Sequence, residues 1–191
     1  MSSVPPTPLA NSHPFSACET DSSLPITMER ILSIAPGTIR FGFCYLEGSD
    51  LLDWGLRRKS DSRGGRGVKD GDAVARLVNE HRPSIVVLTL IPASDQRRPK
   101  QRRFVEATQS RLARGSAQVA LCSDAEVRKC FKELTLERDL TKQHIMARLG
   151  LLFPELSPLV PKPRKAWQPQ NYWTAMFTAA AQAVTWIAKT P

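Results

Sequence analysis

Residues 31–38, Ile-Leu-Ser-Ile-Ala-Pro-Gly-Thr, decide the fold of this chain. The apolar run ends at a Pro-Gly pair, which is typical of a tight turn. A second apolar run, Phe-Gly-Phe-Cys-Tyr-Leu, follows almost at once over residues 41–46. Short apolar runs bounded by turn residues are typical of buried strands. The segment therefore predicts two neighbouring strands joined by a tight turn.

The rest of the chain alternates between strand-like and helix-like patterns. A turn signal at residues 47–50 leads into a third predicted strand over 50–57. The continuous apolar run at 84–90 is typical of a strand covered on both faces, and a short buried strand is predicted over 117–121. Amphipathic or capped segments predict helices over 70–81, 99–114, 123–131, 141–153 and 170–188.

This order of elements predicts an α/β fold. Three strands joined by tight turns come first, and helices then alternate with strands. We therefore expect a mixed five-stranded sheet, three antiparallel strands and then two parallel ones, flanked by helices. The Pro-rich stretch 154–169 is expected to be a connector. The last helix is expected to bury an apolar stripe made of Tyr172, Met176, Phe177, Ala180 and Val184.

The length of 191 residues and the hydrophobic content of 41% fit one domain with an ordinary core. Residues 1–27 are rich in Pro, Ser and Thr, which predicts a disordered tail. The folded domain is therefore expected over 28–191, with Met28 either a translation start or an ordinary tail residue. No apolar run approaches the ~20 residues needed to span a bilayer, so no membrane contact is expected.

The four cysteines show no CxxC spacing and the three histidines are scattered, which argues against a zinc site. Cys44 and Cys122 lie in strand-like runs and are expected to be small core residues. The first residues lack the basic and apolar regions of a secretion signal. Together these features predict a protein of the reducing cytoplasm.

Positive charge is the strongest compositional signal. The formal net charge is +9 and the isoelectric point is near 9.8. Basic residues fall into three clusters, at 57–69, 97–103 and 162–165, the last beside Trp167. Three separate clusters near predicted loops favour contact with nucleic acid over general solubility.

These segments, in this order, resemble the RuvC-like branch of the RNase H-like superfamily, which includes Holliday-junction resolvases. The opening resembles that branch's Ile-x-x-Asp-Pro-Gly-Thr-x-x-x-Gly-Phe pattern, and residues 31–43 match it except at Ala35. The resemblance extends over residues 29–186. Its other similar segments, some typical of a bacterial resolvase-like subgroup, are 51–55, 82–88, 141–142, 153–156, 163–167 and the last helix.

Nucleases of this branch hold two divalent ions between carboxylates of the first strand, the central strand and the last helix. The resemblance places neutral residues at the matching positions, which are Ala35, Thr89, Gln170, Asn171 and Thr178. Residues 167–191 contain no Asp or Glu that could substitute. Asp95 is expected to be a loop partner for Arg97 or Arg98. The resemblance therefore implies no functional metal site, no cofactor and no metal-dependent catalysis.

In a fold of this kind the nucleic-acid groove would cross the sheet near the lost metal site. The basic residues after the central strand are the first candidates for phosphate contacts: Arg97, Arg98, Lys100, Arg102 and Arg103. The second group is Arg164, Lys165 and Trp167, and the third is Arg63, Arg66 and Lys69. Trp167 is either a base-stacking residue or a hydrophobic anchor of the connector.

The sequence therefore predicts a catalytically inactive RNase H-like protein that binds DNA or RNA phosphates through Arg and Lys. Two alternatives stay open. One is an active metal-dependent endonuclease, similar to junction resolvases, with relocated Mg²⁺ ligands. The other is a protein-interaction scaffold. Because junction resolvases usually act as dimers on two-fold symmetric substrates, a homodimer or a larger nucleoprotein assembly is a further expectation.

Overall fold

The computed structural model of the protein describes residues 29–59, 72–135, 139–162 and 172–190. The predicted tail, 1–27, lies outside these ranges, and so does Met28. Eight predicted site residues also lie outside the described residues: Arg63, Arg66, Lys69, Arg164, Lys165, Trp167, Gln170 and Asn171.

The strands form one mixed sheet in the order β3-β2-β1-β4-β5. β1 (Arg30–Pro36) pairs antiparallel with β2 (Arg40–Glu47), which pairs antiparallel with β3 (Asp50–Arg58). On the other side of β1, β4 (Ile85–Leu90) and β5 (Gln118–Ser123) continue the sheet in parallel. The predicted sheet of three antiparallel and two parallel strands is confirmed.

Helices cover both faces of the sheet. α1 (Asp72–His81) and α2 (Pro99–Leu112) pack on one face. On the opposite face lie α3 (Asp124–Thr135), α4 (Lys142–Leu152) and α5 (Thr174–Lys189). In the ranges that the structure describes, no helix is long and apolar enough to cross a membrane.

Three details differ from the sequence prediction. α3 continues to Thr135, whose hydroxyl donates to the carbonyl of Phe131, the predicted last residue. Within the predicted connector, Pro154–Leu159 form a short 3-10 helix because the fully buried Leu156 anchors this stretch in the core. Tyr172 was expected on the buried stripe of α5. It lies instead in the turn before that helix and is 53% exposed, because the helix begins only at Thr174.

β1 and β2 are buried on both faces, which explains their continuous apolar runs. In β1, Ala35 faces α5, whereas Leu32 and Ile34 face α1 and α2. Cys44 and Cys122 are buried free thiols, as predicted. Burial raises the pKa of the Cys44 thiol, so it stays protonated and behaves as an apolar core residue.

The predicted Pro-Gly turn joins β1 to β2, with a 2.9 Å hydrogen bond from the Gly37 amide to the Arg40 carbonyl. Two residues further on, Gly42 pairs with Ala35 across the strands. A Cβ atom at Gly42 would lie 2.2 Å from the backbone carbonyl carbon of Ala175 and 2.2 Å from the backbone nitrogen of Met176. The first turn of α5 therefore packs with its backbone directly on β2.

The predicted capping box opens α3. Ser123 Oγ accepts a 3.2 Å hydrogen bond from the Glu126 amide, and the Ser123 amide donates to Glu126 Oε2 at 2.7 Å. Lys189, the last residue of α5, also donates to Glu126. The Lys189 hydrogen bond, with those from the Ser123 amide and hydroxyl, lowers the pKa of Glu126 to about 2. The charged carboxylate therefore ties the start of α3 to the end of α5.

Replacing Gly42 with Ala should destabilise the fold, because the atoms that the new Cβ would meet belong to backbone and cannot move aside. Overpacking costs about 1–3 kcal/mol in ordinary cores. We expect the free energy of unfolding, measured by urea denaturation, to fall by about 3 kcal/mol or more. Gly55→Ala is the matched control, since its Cβ would meet only the Phe43 ring, at 3.3 Å. Equal stability of the two variants would contradict the backbone contact with α5.

Candidate functional site

One open cleft lies where β1 and β4 end and α5 begins. Ala35, at the end of β1, lines this cleft together with Thr89 of β4 and Thr178 of α5. Because β1 and β4 are neighbouring parallel strands, their carboxyl ends meet at the same edge of the sheet. The three predicted positions that the structure describes therefore share one cleft, while Gln170 and Asn171 lie outside the described residues.

A buried chain of polar side chains lies beneath the cleft. Gln182 of α5 donates from Nε2 to Thr89 Oγ1 at 2.7 Å, and its Oε1 accepts a 3.4 Å hydrogen bond from the hydroxyl of Ser33. All three side chains are almost completely inaccessible to solvent. Through them α5 is hydrogen-bonded to both central strands, β1 and β4.

The side chains at the three predicted positions, Ala35, Thr89 and Thr178, do not fit a Mg²⁺ site. Ala35 offers no ligand atom, the Thr89 hydroxyl accepts from Gln182, and Thr178 Oγ1 donates to the carbonyl of Thr174 at 2.8 Å. Mg²⁺ requires near-octahedral oxygen ligands, usually including carboxylates, and the one carboxylate among the described residues that line this cleft, that of Asp124, lies 3.5 Å from Arg98 Nη2. Across the described ranges, no three His, Cys, Asp or Glu side chains form a group that could hold a metal ion. The described side chains of this cleft therefore do not form a carboxylate cluster of the kind that holds Mg²⁺.

Cations line the cleft in place of carboxylates. Among the described residues that line the cleft, one is acidic, Asp124 at the start of α3, and five are basic. The five basic residues are Arg40 and Arg58 at the β2 and β3 strand ends, Arg98 before α2, Arg128 of α3 and Lys142 of α4. Low-dielectric walls focus the field of such a group, so the cleft is suited to a polyanion.

Arg98 connects the loop after β4 to the cleft. Its Nε donates to Asp95 Oδ2 at 2.7 Å, and its Nη2 lies 3.5 Å from Asp124 Oδ2. The Arg97 amide also donates to Asp95, at 3.1 Å. The Arg98 hydrogen bond holds the pKa of Asp95 below its ordinary value. Asp95 thus pairs with the Arg98 side chain and accepts from the Arg97 backbone amide, where the sequence predicted a partner for Arg97 or Arg98.

The structure separates the basic cluster that was predicted first. Arg98 lines the cleft, whereas Arg102 donates from Nη1 to the Ala93 carbonyl at 2.8 Å and thereby braces the loop. Arg97, Lys100 and Arg103 are exposed around the start of α2. Charge clustering along the sequence therefore located the region of the cleft but did not identify which side chains line it.

Sequence reasoning missed Arg40, Arg128 and Lys142, and it placed Arg58 in the basic cluster at 57–69 without selecting it as a contact residue. Arg40 and Arg58 lie opposite each other on paired strands, and a basic residue at each strand end was the signal that could have found them. Arg128 and Lys142 are isolated in sequence and come from two different helices. They share the cleft only because α3 and α4 both begin at this edge of the sheet.

Solved structures with the same fold include several Holliday junction resolvases. RuvC of Thermus thermophilus, solved with a Holliday junction substrate, matches with a TM-score of 0.54 and 15% identity, covering 82% of this chain and 91% of that one. The yeast mitochondrial Holliday junction resolvase Ydc2 matches with a TM-score of 0.55 and 12% identity over 84% and 78% of the two chains.

The fowlpox virus Holliday junction resolvase matches with a TM-score of 0.50 and 10% identity over 84% of this chain and 99% of that one. No protein-family model and no curated protein sequence matches this chain. At these identities the likeness concerns the fold alone. The protein has the RNase H-like fold of RuvC, as residues 31–43 predicted.

Replacing Gln182 with Leu should destabilise the protein by about 1–3 kcal/mol, because the buried hydroxyls of Ser33 and Thr89 would lose their partner. Removing all three polar groups, as Ser33→Ala, Thr89→Val and Gln182→Leu together, should restore part of that loss. Urea denaturation of the single and triple variants measures both. A triple variant as unstable as the sum of the three single changes would contradict the hydrogen-bonded chain.

Proposed function

We propose that this protein is a non-catalytic nucleic-acid-binding protein, and that its cleft binds the phosphates of DNA or RNA directly, without a metal ion. One observation carries the proposal. The cleft that contains Ala35, Thr89 and Thr178 is lined by five cations and one carboxylate. RuvC of T. thermophilus and the fowlpox resolvase were both solved with Holliday junction DNA, which makes branched DNA the first partner to test.

The charge at the cleft determines what it can attract. A cluster of carboxylates repels phosphate unless divalent ions neutralise it, whereas Arg and Lys attract phosphate at any metal concentration. Arg40 and Arg128 can also each present a planar pair of N–H donors, which matches two phosphate oxygens. Replacing the carboxylates with neutral residues therefore removes an obstacle to binding as well as the means of cleavage.

A second basic groove continues from the cleft along α3. Arg128, Lys129 and Lys132 line it, with Asp139 also present. Arg128 lines both the groove and the cleft. Residues 128 and 132 are about one helical turn, roughly 6 Å, apart, so a strand that leaves the cleft meets further cations on the exposed face of α3. This continuity supports a long polymer over a small anion as the ligand.

The other basic residues predicted from the sequence remain part of the proposal. Arg97, Lys100 and Arg103 are exposed beside the cleft and would reach phosphates outside it. The groups around residues 63–69 and 164–167 lie outside the described residues and stay predictions. The dimeric or larger assembly also stays a prediction.

Replacing Arg128 and Lys142 together with Ala should weaken binding to a fluorescein-labelled four-way DNA junction by at least about tenfold near physiological salt. It should also lower the slope of log affinity against log salt by about two, one for each lost phosphate contact. Fluorescence anisotropy over a salt series measures both values.

The matched control is Arg76→Ala with Arg114→Ala, which removes two exposed cations from the α1–α2 side of the sheet. That variant should keep nearly the affinity and slope of the wild type. Equal losses in the two double variants would show that only overall charge matters and would contradict the cleft as the binding site. Cleavage of the junction by the wild type would instead support the active-nuclease alternative.

A further inference from the structure

Tyr172 lies at the edge of the cleft with more than half of its side chain uncovered by the described protein. It is 53% exposed and lines the cleft. The guanidinium carbon of Arg40 lies 4.8 Å from the centre of the tyrosine ring. The ring of Trp173 meets the Tyr172 ring edge to face, with centroids 5.1 Å apart and planes at 88°. Two neighbours thus orient a ring that remains largely accessible.

We propose that Tyr172 and Arg40 form a stacking platform for an unpaired base, so that the cleft prefers single-stranded or open branched nucleic acid to continuous duplex. The inference rests on the proposed function and makes it more specific. Aromatic rings stack on bases of every identity, and an arginine adds a cation–π contribution. Inside a duplex both faces of a base are covered by its neighbours, so only a base freed from its stack can use this ring.

The surroundings of the ring fit a flat, partly apolar ligand. Ile39, in the β1–β2 turn, lines the same cleft and is 74% exposed. That turn touches the start of α5, since a Cβ atom at Gly37 would lie 3.4 Å from the Cβ of Ala175. The turn therefore brings an uncovered apolar side chain, Ile39, and a cation, Arg40, to the same edge of the cleft as Tyr172. A nucleotide supplies the apolar face of its base for Tyr172 and Ile39, and a phosphate for Arg40.

The size of the neighbouring cavity argues for stacking at the surface over insertion. An apolar recess between α3, α4 and α5, lined in part by Val127, Ile145 and Phe177, has a volume of only about 50 Å³. A cavity of about 150 Å³ is known to take benzene, and a nucleobase is larger than benzene. This recess is therefore too small for a flipped base, so a base that enters the cleft meets the Tyr172 ring at its open edge.

The test compares a fluorescein-labelled oligothymidylate with a fluorescein-labelled duplex of equal length, by anisotropy at one salt concentration. Tyr172→Ala should weaken binding of the single strand by about fivefold to 150-fold. It should leave duplex affinity nearly unchanged. Tyr172→Phe, which keeps the ring, should bind the single strand like the wild type. Leu151→Ala, which truncates an even more exposed side chain on α4 (74% against 53% for Tyr172), is the control and should change neither affinity.

Four results would overturn the inference. If Tyr172→Ala binds both oligonucleotides like the wild type, the ring does not stack, while the proposed function stands on wild-type binding. If Tyr172→Ala lowers the affinity for both oligonucleotides equally, the residue does not select unpaired bases. If Tyr172→Phe lowers the affinity for the single strand as much as Tyr172→Ala does, the residue acts through something other than its ring. If the wild type binds neither oligonucleotide, the proposed function itself fails and the inference fails with it.

Discussion

The close packing of α5 against the sheet is the constraint on which the site depends. Gly42 allows the backbone of α5 at residues 175–176 to rest directly on β2, opposite Ala35 on the neighbouring strand. Gln182, about two turns further along the helix, is hydrogen-bonded to Ser33 and Thr89 of the two central strands. Because the helix is held at both points, one wall of the cleft is fixed. The side chains that line the cleft are therefore held in a defined arrangement.

The side chains of that wall differ from the carboxylates that the resemblance implies at the same positions. Three positions where the resemblance implies carboxylates or metal contact carry a methyl group and two engaged hydroxyls. The charge around them comes from Arg and Lys on strands, loops and helices that all reach the same edge of the sheet. Attraction between these cations and phosphate, focused by the walls of the cleft, is the physical basis of the proposed binding without Mg²⁺.

Local patterns in the sequence were sufficient for the framework. The apolar runs around Pro36-Gly37, the turn before β3 and the run at 85–90 each contain their own strand signal, and the Ser123–Glu126 capping box marks a helix start. The mixed sheet follows from their order. The paired loop residues Asp95 and Arg98 could also be anticipated, because they are three residues apart.

The parts of the site that depend on contacts between distant segments could not be read in the same way. Arg128 and Lys142 carry no local sign that α3 and α4 open onto one cleft. No local pattern marks Gln182 as special, because its role depends on hydrogen bonds to Ser33 and Thr89, which are distant in sequence. Tyr172 fits the periodicity of α5 but precedes the helix, so the pattern predicted burial where the structure has an exposed ring.

The most direct test of the account is the binding of labelled four-way junction DNA in EDTA and in Mg²⁺, with the recovered DNA examined for nicks on a denaturing gel. The account predicts binding in EDTA at least as tight as in Mg²⁺, since the cleft's own cations contact the phosphates and Mg²⁺ competes with them. It also predicts intact DNA under both conditions. Binding that requires Mg²⁺, or metal-dependent nicking at the junction, would contradict it.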